Sequence, residues 1–411
     1  METKKILMIT SFYPPYHVGG DATHVKYLSE SLVKQGHEVH VMYSIDAYNL
    51  KKGEKTIKEE NEENENFPII HKLKSPIGRF EPIFNYTFGT QYYTFKIFRN
   101  LIKENKFDIV HYHNISLLGY RILKKLNNYH YKRIYTAHGY WSICPLGNLF
   151  KENKKICHNL PNQKFYSCIS CLLKSKRPIQ IWRYLVKYEK YFRSLDCIIA
   201  PSLFMKKKLM EKKINSKIYV IPNFVPDPPD EKIIKKIKYG DYFLYAGALE
   251  ENKGIGILMK TFLDREIKSK LIIVGTGSLY SKVKKLVEKK NKESSKKILF
   301  FGWAEKNFLY SLYYYTNALI LPSLWYENAP LSVLECLSVG TPVIGANIGG
   351  IPEILEKIDP DLIFNGNKIE TLKEKILNFN KVKYSRKEIK EVWRKNFSEE
   401  IYLKRYLKII K

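Results

Sequence analysis

Short apolar runs of four or five residues alternate along this chain with longer stretches whose apolar positions recur every three or four residues. A strand covered on both faces reads as a continuous apolar run, and the helix that crosses back over it reads as an amphipathic stripe. The pattern predicts βαβ units and parallel sheets. In the opening unit, Lys5–Ile9 predicts a strand, residues 11–20 a loop with two Pro and a Gly pair, and residues 21–35 a helix carrying Val25, Leu28, Leu32 and Val33 on its apolar stripe. Gly36 stands where a helix C′ glycine belongs, and residues 38–43 predict the next strand. Residues 49–67, rich in charge and Asn, predict a solvated loop, with further strands at 108–111, 133–136 and Cys197–Ala200.

Residues 222–230 hold four prolines in nine positions and predict a linker. Beyond it the same rhythm restarts, with strands predicted at Tyr242–Ala246, Lys270–Val274, 298–301, 318–321 and 342–345, and a basic helical stretch from about 385. No internal repeat or heptad run interrupts it. A length of 411 residues fits two domains at roughly 100–200 residues each. The expected fold class is α/β, with two Rossmann-like doubly wound domains at 1–225 and 226–385 and a helical segment at 386–411, free either to stand apart or to return to the first domain. Open parallel sheets bind ligands beyond the carboxyl ends of their strands, so the chemistry is expected in the loops there, in a cleft between the two domains.

The most informative loop begins after the strand ending at Leu321. Residues 328–330, AsnAlaPro, predict a helix start with Pro330 in the first turn, where its missing N–H does no harm. Free backbone N–H groups near Leu331 and Ser332, beside Asn328, would make an anion site suited to a diphosphate. Glu327, just before the helix, could accept hydrogen bonds from ligand hydroxyls. Glu335, one turn in on an otherwise apolar helix, requires a partner if buried and could chelate the two hydroxyls of a ribose.

Glu327 and Glu335, with seven residues between them and followed by GlyThrProValIle and GlyGlyIleProGlu, resemble the Glu-x7-Glu region of retaining glycosyltransferases of GT-B fold, and more narrowly family 4 of the nucleotide-sugar-dependent transferases. The resemblance implies that Glu327 contacts the donor sugar and Glu335 the ribose. It extends to residues 245–258, where Lys253 matches the lysine of a basic pair that holds the donor diphosphate, while Ala248 occupies the place of the arginine. Each missing charge-assisted contact is worth about 1.5–3 kcal/mol. The glycine-rich turn with Gly275 and Gly277 permits close backbone approach to a donor, and Ala304, in PheGlyTrpAla, matches the position beside the nucleotide base. In the first half, Gly19 and Gly20 match the family's loop glycine pair beside the donor phosphate. His138 matches its histidine beside the donor sugar and the bond that breaks, whereas His111 and His113 read as packing residues. The family is typically independent of metal, and no catalytic metal is expected.

Cys144, Cys157, Cys168 and Cys171 stand in an aperiodic insert at 144–171, with 12, 10 and 2 residues between successive members. Only the last pair has knuckle spacing, and four thiols in so short a loop suggest a structural zinc; two disulfides, an iron–sulfur cluster or free thiols are the alternatives. Six cysteines in all are too few for a disulfide scaffold, so a reducing, cytoplasmic setting is expected. No apolar run reaches the ~18 residues of a membrane span, and the amino-terminal segment lacks a cleavage site.

The net charge of +29 calls for an anionic partner. No nucleic-acid-binding motif is present. Basic and aromatic residues mix at 84–103 and 177–193, which suggests an anionic membrane surface. The expected activity is transfer of a sugar from a UDP-, GDP- or ADP-sugar donor to a glycan or lipid-linked acceptor at the inner face of the cell membrane. A nucleotide-sugar epimerase of the same fold and a polyanion-binding protein are the alternative readings.

Overall fold

The structure is a computed structural model that describes residues 2–53, 67–127, 129–158, 165–293, 298–366 and 368–411. Strands β1 (Lys5–Ile9), β2 (Glu38–Ser44), β3 (Ile69–Leu73), β4 (Ile109–Tyr112), β5 (Lys132–Thr136), β6 (Cys197–Ala200) and β7 (Ile218–Val220) form one sheet in the order β3-β2-β1-β4-β5-β6-β7. Strands β8 (Tyr242–Ala246), β9 (Lys270–Val274), β10 (Ile298–Gly302), β11 (Leu319–Leu321), β12 (Val343–Ala346) and β13 (Ile363–Phe364) form a second, in the order β10-β9-β8-β11-β12-β13. Neighbouring strands pair in parallel, as with Ile6 beside Val39 and Ile109 on either side of β1.

The central strands are continuous apolar runs because helices cover both faces. Ile6 to Ile9 and Tyr242 to Ala246 are all buried, and each Ile, Leu, Met or Phe side chain among them contributes roughly 1.5–3 kcal/mol. Unpredicted strands β3, β7 and β13 lie at sheet edges, where burial on both faces is not required. Ile69 and Ile70 of β3 are exposed.

Two compact units result, Met1–Glu152 with Cys157–Ile221 and Arg405–Lys411, and Asn153–Ile156 with Pro222–Lys404. The helical segment at 386–411 is shared between them, up to Lys404 with the second unit and Arg405–Lys411 with the first. The helix Arg386–Phe397 packs on the helix Leu331–Ser338, and its Arg386 guanidinium donates to the Val339 carbonyl at 3.2 Å and the Thr341 hydroxyl at 3.0 Å. The final helix Glu399–Ile410 ends in the first unit, where the Tyr406 hydroxyl bonds His111 Nδ1 at 2.9 Å.

Two expectations change. Residues 49–52, expected in a loop, close the helix Ile45–Lys52, which Ser44 Oγ caps by accepting the Ala47 N–H; the remainder of that loop, 54–66, lies outside the described residues. The helix expected from Asn328 begins at Leu331, and Pro330 is its extended N-cap, because Asn328 and Ala329 belong to the strand-end loop.

In each sheet the chain reverses direction of growth beside the first strand, between β1 and β4 and between β8 and β11. Those switch points open a crevice at the carboxyl ends of the strands, and the candidate residues fall in the loops that leave them.

Candidate active site

In the second unit, β8 runs into a turn that ends at Lys253 and Gly254, and β11 runs into the loop carrying Ser323, Trp325 and Glu327. The two loops are fastened together where the Leu324 N–H meets the Asn252 carbonyl at 2.8 Å. Gly254, at φ +75°, passes so close to Pro322 that an added Cβ would sit 1.7 Å from its carbonyl oxygen. Only glycine fits there.

That closeness places Glu327 and Lys253 side by side. Glu327 is 6% exposed, and its Oε1 accepts from Lys253 Nζ at 2.6 Å, Trp325 Nε1 at 2.7 Å and Ser323 Oγ at 2.9 Å. Lys253 Nζ also lies 4.9 Å from the centre of the Trp325 ring, within cation–π range. No described residue donates to Oε2. A third loop supports the backbone of Glu327: Gly350 donates its N–H to the Glu327 carbonyl at 2.7 Å, and a Cβ on Gly349, at φ +62°, would come within 2.2 Å of that oxygen. The GlyGly of GlyGlyIleProGlu therefore acts on Glu327.

Glu335 projects from the helix Leu331–Ser338 and accepts from the Tyr313 hydroxyl at 3.1 Å. Burial raises its pKa above the ordinary carboxylate value, against the smaller opposing pull of Lys306 and the Tyr313 hydroxyl. Leu331 and Ser332 form the first turn of that helix, and Asn328 is buried beside Glu327. Ala304 links β10 to the helix Lys306–Tyr315. The close approaches of Gly275 and Gly277 are to the protein's own backbone: added Cβ atoms would reach within 1.9 Å of the Gly247 oxygen and 2.6 Å of the Leu249 oxygen.

The first unit brings together four histidines. His113 leaves β4, His138 leaves β5, His111 lies within β4, and His24 faces them from the helix Gly20–Lys34. His113 Nδ1 and His138 Nε2 are 3.0 Å apart, and His111 Nε2 bonds the Thr136 hydroxyl at 2.8 Å. The His24 and His138 rings meet edge to face at 5.0 Å between centroids. Burial lowers the His111 and His138 pKa values to about 3, and those of His24 and His113 well below the ordinary value. The cluster is neutral. Gly20 opens the adjacent helix after Gly19 at φ +89°. The carboxylate of Asp21 accepts from its own and the Ala22 N–H and from Asn114 Nδ2 at 2.6 Å, so those helix-start donors face an internal acceptor.

The sequence singled out Glu327, Lys253, Glu335 and His138 but not their partners in the structure, Ser323, Trp325, Tyr313, His24 and the contact of His113 with His138. The two-residue spacing of His111 and His113 along an extended chain would have put both on one face. In the cysteine insert all four thiols are free. Cys168 and Cys171 sit one turn apart on the helix Phe165–Lys174. Burial and the neighbouring thiols push Cys168 up to about 11, and Cys171 is raised too. Among the described residues no three His, Cys, Asp or Glu side chains are arranged to hold a metal ion.

Residues 18–227 match Glycosyltransferase Family 4, and residues 228–396 match Glycosyl transferases group 1. An uncharacterized glycosyltransferase of Methanocaldococcus jannaschii is 26% identical over 86% of this chain and 83% of its own length. Among solved structures, the sucrose-phosphate synthase of Thermosynechococcus elongatus superposes with a TM-score of 0.71 over 99% of this chain and 98% of its own, at 16% identity. Anabaena HepE in complex with UDP-glucose does so with a TM-score of 0.64 over 98% of each chain, at 12% identity. Two Rossmann-like units of GT-B type, carrying the Glu327–Lys253 pair and matched along most of their length, make this chain an enzyme of glycosyltransferase family 4.

Proposed function

We propose that the enzyme moves a glycosyl group from a nucleotide-sugar donor to a hydroxyl of a glycan or lipid-linked acceptor, with retention of anomeric configuration. The bond between the anomeric carbon and the diphosphate oxygen breaks, and a bond to the acceptor oxygen forms on the same face. The acceptor proton leaves with the departing nucleoside diphosphate. One observation carries this reading: three donors converge on Oε1 of Glu327 and leave Oε2 without a hydrogen bond from any described residue. A carboxylate so held is oriented before the ligand arrives, with one oxygen ready for a sugar hydroxyl.

Lys253 and the N–H groups near Leu331 and Ser332 take the diphosphate, whose developing charge is the main target of stabilisation. Glu335 takes the ribose, Ala304 and the Gly275–Gly277 turn border the nucleotide, and Gly20 and His138 act beside the transferred sugar. The complex of HepE with UDP-glucose favours a UDP-sugar over GDP- or ADP-sugars. Because Lys253 and the helix start supply positive charge, turnover should survive chelation of divalent cations. The reaction is assigned to the cytoplasm, at the inner face of the membrane; among the described residues no helix is long and apolar enough to cross one.

Thermal unfolding with a panel of nucleotide sugars tests the reading. A matching donor or its nucleoside diphosphate at about 100 times its Kd should stabilise the fold by about 2.7 kcal/mol. No shift with any member, together with no donor-dependent transfer, removes it. Metal analysis of the purified chain separately decides the cysteine insert.

A further inference from the structure

The helix Phe80–Phe88 is packed with its polar residues inward. Glu81 and Asn85 are buried, 5% and 1% exposed. Glu81 Oε1 accepts from the Thr94 N–H at 3.1 Å and the Thr94 hydroxyl at 2.8 Å. Asn85 Nδ2 donates to Thr94 Oγ1 at 3.1 Å, and its Oδ1 accepts from the Gln91 N–H at 2.6 Å. Four bonds therefore fix the helix in the orientation that turns its phenylalanines outward. Phe80, Phe84 and Phe88 follow at four-residue intervals on one face and are 51%, 39% and 49% exposed. Their ring centroids stand 6.4 and 6.3 Å apart in sequence along the helix. An ordinary surface helix has the opposite arrangement.

The second basic and aromatic segment packs directly against the first. The Ile181 N–H meets the Thr87 carbonyl at 2.9 Å, and Trp182 Nε1 meets the Tyr86 carbonyl at 2.9 Å. Trp182 goes into the core, while Ile181 and Leu185 stay outside, Leu185 at 78% exposed. The two segments thus form one exposed apolar patch. Its surroundings are cationic: between Lys72 and Lys103 six Lys and Arg accompany a single acidic residue, the buried Glu81. Lys174, Lys176 and Arg177 are exposed on the adjoining segment, and residues 178–186 add no carboxylate.

We propose that this face, centred on Phe80, Phe84 and Phe88, docks the enzyme on an anionic lipid bilayer. Phenylalanine rings enter the boundary between headgroups and acyl chains while the flanking cations meet lipid phosphates. Charge decides against a second copy of the chain, since a two-fold contact through this patch would bring its cations against their own copies. The face gives the proposed lipid-linked acceptor a surface from which to be taken, but its binding to lipid stands independently of the transfer reaction.

The test sediments the purified full chain with vesicles of phosphatidylcholine alone, or with about a third phosphatidylglycerol, at low and high salt. Expected are binding to the anionic vesicles, weakening with salt, and a loss of about tenfold or more in Phe84→Ser/Phe88→Ser, whose apolar area is gone. Thermal unfolding and UDP binding of that variant should match wild type. If it folds poorly, Arg79→Gln/Lys96→Gln should show the electrostatic part of the loss. Failure of wild type to bind anionic vesicles at low salt overturns the proposal, as does equal binding by a folded serine variant. Self-association abolished by the same substitutions, without vesicle binding, assigns the face to a second copy and equally overturns it. Vesicle binding without any response to nucleotide sugars would leave the docking face standing and remove the transferase reading.

Discussion

The two regions proposed to meet the donor are built on opposite electrostatic plans. In the second unit, Glu327 and Lys253 are ion-pair partners at 2.6 Å, with Trp325 and Ser323 completing the shell of Oε1. In the first unit, His24, His111, His113 and His138 are crowded and buried, and burial holds all four neutral. A paired charge can be lent to an anionic ligand without being created in a dry site. In the proposed reaction, a neutral imidazole cluster would offer donors and acceptors to hydroxyl groups without competing for the diphosphate. The division of labour follows from burial and pairing rather than from residue type alone.

The largest test acts on the charged region. Glu327→Gln keeps the shape but cannot hold Lys253 electrostatically, and it presents an amide to the sugar. Turnover should fall by about 10²–10³, the cost of losing one preorganised electrostatic group, measured as donor consumption in single-turnover experiments. A fall of less than tenfold would show that Oε2 does not meet the sugar. Next, Lys253→Ala should weaken nucleoside diphosphate binding by about 1.5–3 kcal/mol, the worth of a charge-assisted bond, read by calorimetric titration. Because the two residues touch, a double-mutant cycle should show non-additivity, and strictly additive effects would mean that the pair does not act as a unit.

A third test probes the scaffold of the same region. Gly349→Ala forces a Cβ toward the Glu327 carbonyl at a positive φ, and should cost about 1–3 kcal/mol in chemical denaturation. Turnover should fall with it if the loop positions Glu327. An unchanged unfolding midpoint would show that the loop can move aside.

Much of this was legible in the sequence, for physical reasons that also explain the gaps. Central strands such as β1 and β8 are uninterrupted apolar runs because both faces are covered, so their limits could be read directly. Edge strand β3, with Ile69 and Ile70 exposed, has no such signature. Glu327 and Glu335 carry a recognisable spacing, whereas Trp325 and Ser323 become partners only through loop closure by Leu324 and Asn252. The helix Phe80–Phe88 shows the same limit. Its aromatic residues were evident, but their outward orientation depends on Glu81 and Asn85 reaching Thr94. A zinc site in the cysteine insert turns on side-chain directions that spacing does not fix.

The smallest effect, and the one that separates the two regions most cleanly, is the dependence of stability on pH. Each buried histidine has a folded pKa below its unfolded value of about 6.5, so the unfolded chain binds more protons as the pH falls past that value. Stability is then full above about 6.5 and declines toward the folded values, about 3 for His111 and His138, by at most about 1.4 kcal/mol per pH unit for each imidazole that stays neutral. Glu335 runs the other way: burial raises its folded pKa, so its contribution is present at low pH and is lost as the pH rises through that raised value. Denaturation midpoints measured from pH 7 down to pH 5 should therefore fall, with a slope that His24→Leu reduces by about one proton's worth. Glu335→Gln should leave the slope over that interval unchanged or make it steeper, because it removes only the opposing carboxylate. A slope untouched by His24→Leu would mean that the cluster takes up protons while folded, and the contrast between a charged and a neutral region would fail.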